Sequence, residues 1–291
     1  VTAAVAGPIA GRRRRVRASA VGAALALVVG AVAAQDAPVP RQALRVCQDP
    51  NNLPFSNTRG EGIENRIAEV FGKALGLPVT YYSFPQRFAF IRNTLRYKLP
   101  GQDYPCDIVM GVPAGYDQVS VTQPYYRSTY ALVLPKGRGL DAVRSAADFL
   151  ALERAQLNRL RIGVYDRSPA SDWLVKHGLI ESGVPYPMLN ADPDQYPGEI
   201  IEKDLAAGKI DAAIVWGPIA GYFAKRVKAP ELLVVPLRSE PGVRFDYQMA
   251  IGVRYGEREW KQQVESLLQS RQTDIRAILD EFGVPVVDES F

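Results

Sequence analysis

Residues 44–76 read LRVCQDPNNLPFSNTRGEGIENRIAEVFGKALG, and the order of signals within them decides the fold class. LRVCQ (44–48) has the short apolar alternation of a strand, and DPNNLPFS (49–56), carrying two prolines, is turn-rich. From Ile63 onward, Ile63, Ile67, Val70, Phe71, Ala74 and Leu75 recur at the spacing of one buried helix face, and Gly76 ends the run. The same grammar continues outward. Segment 79–82 is a strand, Phe88, Ile91 and Leu95 mark an amphipathic helix, and 107–111 is a buried strand. Later, helical patterns at 145–152, 198–207 and 218–227 alternate with strands at 161–165, 210–216 and 232–237. A short helix starts with Ser168 as N-cap and Pro169 at its first position. A strand at 247–253 precedes a mostly helical stretch, 257–282, with Trp260, Val264, Leu267, Leu268, Ile275, Ile278 and Leu279 inward. Alternation of this kind implies parallel sheets flanked by helices. The chain has 291 residues, enough for two such units, with a ligand site between them at the carboxyl ends of the strands.

The charge is unevenly placed. Of 35 Lys and Arg against 31 Asp and Glu, five arginines (Arg12, Arg13, Arg14, Arg15 and Arg17) lie in the first 34 residues, which hold no acid. The remainder balances at 30 against 31, so the basic character belongs to the leader and implies no nucleic-acid partner. Residues 1–34 read as a secretory signal peptide: a basic start, an apolar run at 18–33 of small residues, and Ala31-Val32-Ala33 as the cleavage site. No other stretch approaches a membrane span, so no membrane insertion is expected after cleavage. The two cysteines, Cys47 and Cys106, fit an oxidising compartment, where a pair normally means one disulfide. One histidine and two cysteines do not supply a zinc or copper site. His177 before Gly178 reads as a helix stop.

Several blocks resemble the type II periplasmic solute-binding proteins. LRVCQDPNNLPF (44–55) is similar to that family's first strand and cleft loop, and GEGIENRIAEVFGKALG (60–76) to its first helix. CDIVMGVP (106–113) followed by TQPYY (122–126) resembles its entry to the hinge, and LAAGKIDAAIVWGPIA (205–220) its late second-lobe block. The resemblance implies an α/β fold of two lobes, each a mostly parallel sheet flanked by helices. Lobe one is expected over 42–134 plus 244–291 and lobe two over 138–237, with hinge crossovers at 130–137 and 237–245. In the family's strand order the strands at Cys47 and Asp107 are neighbours, which implies a Cys47–Cys106 disulfide. LRVCQDPNNLPFSN, FIRNTLR, CDIVMGVPAGYD and TQPYYRSTYALVL narrow the resemblance to the MxaJ/XoxJ branch. Those proteins accompany periplasmic quinoprotein methanol dehydrogenases and are implicated in their assembly or activation. A partner dehydrogenase carrying PQQ is therefore implied, with no cofactor and no catalysis expected of this chain.

Departures from the amino-acid receptors of the fold support that narrower reading. Such receptors clamp a carboxylate with an Arg ahead of the segment equivalent to TQPYY; here 113–123 holds no Arg. Their ammonium-binding Asp falls at Trp216. Without these groups a zwitterion loses its charge-assisted hydrogen bonds. The expected cleft wall and partner-contact residues are Asp49, Asn51, Asn52, Tyr116, Asp117, Tyr125, Tyr126, Asp166, Arg167 and Trp216. Trp216 and Arg167 rank first, as residue types enriched in hot spots. Turn chemistry at 49–52 and packing of the tyrosines at the hinge are the competing structural readings. Two other functions stay open: a solute receptor of an ABC transporter taking a small molecule other than an amino acid, and an enzyme on the same fold.

Overall fold

In the computed structural model the chain divides into Val1–Pro40 and Arg41–Phe291. The structure describes residues 40–86, 89–188 and 194–288, so the expected signal peptide lies outside the described residues, as does Phe88. In the first lobe the strand Leu44–Gln48 runs parallel to Val79–Ser83 on one side and to Ile108–Pro113 on the other. The helix Ile63–Leu75 covers them by burying Ile63, Ile67, Ala68 and Phe71. Gly76 ends it in the left-handed region (φ 66°), a conformation that glycine adopts without steric cost. An antiparallel strand, Asp246–Val253, completes this half. Trp260, Val264, Leu267, Ile275 and Leu279 from the two final helices join the same core.

The second lobe repeats the plan. Ile162–Tyr165 lies parallel to Gly183–Tyr186 and to Ala212–Trp216. One strand joins the halves. Tyr126–Pro135 pairs antiparallel with 246–249 through its first residues, then with Ala213–Trp216 and with Leu232–Pro236 from Tyr130 onward. The partner change falls between Thr129 and Tyr130, inside a continuous ten-residue strand.

The structure adds detail that the local patterns do not carry. The stretch 257–282 is two helices, Arg258–Ser270 and Gln272–Glu281, parted at Arg271. The pattern at 198–207 winds as a π-helix over Ile200–Leu205. The helix marked by Phe88, Ile91 and Leu95 shrinks to Phe90–Asn93, where the Thr94 hydroxyl donates to the Phe90 carbonyl at 2.7 Å and Thr94 leaves helical geometry.

Two features fix the frame around the cleft. Cys47 and Cys106 form a disulfide with Cα atoms 5.3 Å apart, both side chains buried. Beside it, Asp107 is fully buried and meets three arginines: Arg41 at 2.8 Å, Arg45 at 2.7 Å and Arg254 at 2.7 Å. Burial pushes the Asp107 carboxyl up, but the hydrogen bonds from Arg45 and Arg254 and the charge of Arg41 hold it below the ordinary range. On the hinge side, the helix Gly217–Arg226 lies against the backbone of Gly283 and the ring of Pro285. A Cβ at Gly221 would fall 1.8 Å from the Gly283 carbonyl oxygen, so only glycine permits this approach. Tyr222 stacks on Phe282 at 5.4 Å, adding an aromatic contact to the same brace.

Candidate ligand and partner cleft

The three parallel strands of the second lobe each end in an aromatic residue. The ends of Ile162–Tyr165 and Ala212–Trp216 reach the cleft, whereas Tyr186 donates its hydroxyl to Asp204 at 2.7 Å. With Tyr130 from the crossing strand, Tyr165 and Trp216 form one wall of a cleft of about 360 Å³. The turn-rich loop of the first lobe forms the other, through Asp49, Asn51, Asn52 and Phe55. Tyr196 and Gln86 complete the rim. Its size suits a small ligand or a few side chains of a partner.

Asp49 builds its own side of this site. One carboxylate oxygen accepts the Asn51 N–H at 2.8 Å and the other accepts the Gln86 N–H. Asn52 donates to the Gln86 side-chain oxygen at 2.9 Å, tying the loop to residues after the strand Val79–Ser83. The tyrosines are neutral, because burial pushes the hydroxyls of Tyr130, Tyr165 and Tyr196 upward. Tyr165 donates to the Pro197 carbonyl at 2.6 Å and Tyr196 to Glu202 at 2.8 Å. Trp216 meets Tyr130 edge-to-face at 5.5 Å and Tyr247 at 5.8 Å, and is half-buried against the cores of both lobes. Behind the loop, the half-buried Glu64 carboxyl lies beside Gly111; burial and the nearby Asp49 charge push it up to about 8.

Of the sequence-predicted residues, the structure brings Asp49, Asn51, Asn52 and Trp216 into this lining. The other six lie elsewhere. Tyr125 and Tyr126 pack edge-to-face at 5.0 Å against the first-lobe core, beside a shallow depression with Arg127 and Gln248. Tyr116 packs half-buried on the cluster around the disulfide, and exposed Asp117 offers its carbonyl to the Tyr255 hydroxyl. Asp166 donates its N–H to the Tyr186 carbonyl, and Arg167 is exposed in a left-handed turn with φ 55°. Sequence reasoning missed Phe55, Gln86, Tyr130, Tyr165 and Tyr196. Tyr165 carried a usable signal, since it ends a parallel strand just as Trp216 does.

No Lys, Arg or His stands among the described lining residues. Asp211, which precedes the Trp216 strand, is held by Arg161 at 2.9 Å instead. His177 pairs with Glu240 at 2.8 Å and packs on Trp173 at 4.8 Å. Among the described residues no group of three or more His, Cys, Asp or Glu is placed to hold a metal, and no helix is long and apolar enough to cross a membrane.

No family model matches the chain. It is similar to the periplasmic binding protein XoxJ from Methylobacterium extorquens AM1, with 34% identity and a TM-score of 0.67, covering 85% of this chain and 100% of that one. MxaJ from Methlophaga aminisulfidivorans MPT shares the fold with a TM-score of 0.69 at 24% identity, covering 84% of this chain and 100% of that one. Protein MoxJ of Paracoccus denitrificans is 28% identical over 260 residues, 85% of this chain and 90% of the relative.

Proposed function

Because the chain belongs to the family of the periplasmic binding proteins XoxJ and MxaJ, we propose that it is a periplasmic accessory protein that assists a PQQ-dependent methanol dehydrogenase by protein contact. The observation that carries this reading is the 34% identity maintained over the whole of XoxJ, joined to the loop strings that mark the same branch in the sequence. The chain works without catalysis of its own, and the quinone chemistry belongs to the partner. Its lobes are 42–134 plus 244–291 and 138–237, and the cleft between them is the contact surface. Within it Asp49, Asn51, Asn52 and Trp216 act with Tyr130 and Tyr165, while Tyr116, Asp117, Tyr125, Tyr126, Asp166 and Arg167 serve only if the partner reaches past the rim.

The test is capture of purified methanol dehydrogenase by the oxidised chain at low salt, where charged contacts are least screened. Retention of the dehydrogenase at a defined stoichiometry is the expected result; its passage unretained at every salt overturns the accessory role. The competing solute-receptor reading is checked by thermal shift with free amino acids. Ligand at 100 times its dissociation constant adds about 2.7 kcal/mol. No amino acid is expected to produce such a shift, because the described lining offers a carboxylate and no cation to match both of its charges.

A further inference from the structure

The cleft is unusual in its charge balance rather than in its size. Its described lining carries one carboxylate, Asp49, and no basic side chain, while Phe55, Tyr130, Tyr165, Tyr196 and Trp216 surround the space with rings. An anion entering here would lose its hydration beside Asp49 with no cation to replace it, which is costly. A neutral apolar group would gain the ring contacts but leave the carboxylate without a counter-charge. An organic cation satisfies both, since ring faces attract a cation electrostatically and Asp49 supplies the opposite charge. Each Asp49 oxygen accepts one backbone N–H, and a carboxylate oxygen has capacity for a further donor. Those two bonds also hold the carboxylate in place before any ligand arrives. One ring is already occupied on one side: Lys203 lies 5.6 Å over Tyr196 and pairs with Glu199. Recognition of a cation therefore falls to Tyr130, Tyr165 and Trp216.

We infer that the cleft recognises an organic cation, an alkylammonium or guanidinium group carried on an apolar body, and that this group is a side chain of the partner segment entering the cleft. The inference rests on the reading of the cleft as the contact surface and specifies the chemistry that surface selects. A lysine or arginine within an extended segment presents the cation without the free carboxylate of an amino acid.

Titration calorimetry of the oxidised chain at fixed ionic strength tests this. The probes are Nα-acetyl-lysine amide against Nα-acetyl-norleucine amide, and choline against its neutral carbon isostere 3,3-dimethylbutan-1-ol. Each cation is expected to bind at least tenfold more tightly than its neutral counterpart. Asp49→Asn, which keeps an acceptor for the loop, is expected to erase that preference. Tyr130→Leu, which leaves the loop untouched, is expected to weaken the cation at least fivefold and the isostere less. Equal binding of cation and isostere, or equal weakening of both by Asp49→Asn, overturns the inference. Preference for choline with no binding of the blocked lysine overturns the assignment to a side chain and points to a free small cation. The dehydrogenase is titrated in the same preparation. Dehydrogenase binding that no cation competes with sinks the cation inference and leaves the accessory role. Cation binding without dehydrogenase binding does the reverse.

Discussion

The base of the first lobe and the cleft treat charge in opposite ways. At the base, Asp107 is sealed from water among Arg41, Arg45 and Arg254, with Glu257 closing the network through Arg41 at 3.2 Å and Arg254 at 2.6 Å. Arg254 also donates to the Leu95 and Cys106 carbonyls, and Trp260 to the Asp107 carbonyl. Charge there is matched donor for acceptor, next to a covalent crosslink. Among the described lining residues of the cleft a single carboxylate, Asp49, faces neutral rings. The difference separates two tasks: paired charges fix a shape, whereas in the proposed contact surface a carboxylate among rings is available to a visitor. On the proposed reading of the cleft, stability and recognition fall to different parts of one fold, and each prediction tests one side of that division.

The largest effect is expected at Asp107. Asp107→Asn leaves three arginines without their shared counter-charge, and breaking a buried ionic network by removing one partner costs about 3–5 kcal/mol. The pH dependence has a definite sign. The folded carboxyl lies below its unfolded value, so its contribution is complete above the unfolded pKa of about 4 and is lost as pH falls through the folded one. Denaturant unfolding from pH 2 to 7 is expected to show an acid-labile phase that Asp107→Asn flattens. A variant of unchanged midpoint would mean that the network is not what holds the base.

Next comes the disulfide. Cys47 and Cys106 are separated by 59 positions, and closing a loop of that length is worth about 4 kcal/mol in the chain-entropy model, less any residual structure in the denatured chain. The double Cys→Ala variant is expected to lose most of that while keeping dehydrogenase binding, because neither cysteine lines the cleft. Loss of partner binding at conditions where the variant is fully folded would blur the division between base and cleft.

Trp216 tests the other side. It lines the cleft, yet it is packed against Tyr130 and Tyr247 and touches both cores. Trp216→Ala is expected to weaken dehydrogenase association by about 2 kcal/mol. Its cost in stability is expected to stay below the roughly 3–5 kcal/mol of a fully buried aromatic. An intact affinity with a large loss of stability would make Trp216 a hinge filler and move recognition to Tyr165 and Tyr130.

How legible these regions were in sequence follows from how local their signals are. The helix Ile63–Leu75 was readable to its ends, because one apolar stripe and one glycine define it. The fold followed from repetition of such units, and the two-lobed arrangement from the resemblance. The crossing strand Tyr126–Pro135 was harder: its apolar residues read as a hinge, and only pairing with partners 80 or more residues away makes it a strand in two sheets. The Asp107 network was invisible for the same reason, since Arg41, Arg45 and Arg254 converge from opposite ends of the chain. In the cleft, Asp49, Asn51 and Asn52 were found because one loop carries them. Tyr130, Tyr165 and Tyr196 sit in three separate segments with no shared motif. Strand-end position selected Trp216 and, applied evenly, would also have selected Tyr165, together with Tyr186, which lies outside the lining. The tyrosine pair at 125–126 misled, because a conspicuous dipeptide says nothing about which side of a strand each ring takes.

The smallest effect concerns Glu64, where the two regions meet. Its carboxyl sits half-buried beside Gly111, and burial together with the Asp49 charge raises it to about 8. For a carboxyl raised on folding the sign is the reverse of that at Asp107. The folded state binds the extra proton, so stability is highest below the unfolded value near 4.3 and declines as pH rises towards 8. Because the folded carboxyl stays protonated until pH approaches 8 while the unfolded chain ionises above about 4.3, the denaturation midpoint is expected to fall across that window. Glu64→Gln keeps the shape, removes the titration and is expected to be the more stable form at pH 8 while matching the wild type at pH 5. The same variant sharpens the view of the cleft: removing a carboxyl that becomes charged near pH 8 reduces negative potential next to Asp49. Affinity for choline at pH 8.5 is therefore expected to fall modestly in Glu64→Gln and to be unchanged at pH 5.5. A stability difference that is the same at both pH values would show that Glu64 does not titrate in this range, and an unchanged choline affinity at pH 8.5 would confine the field of the cleft to Asp49.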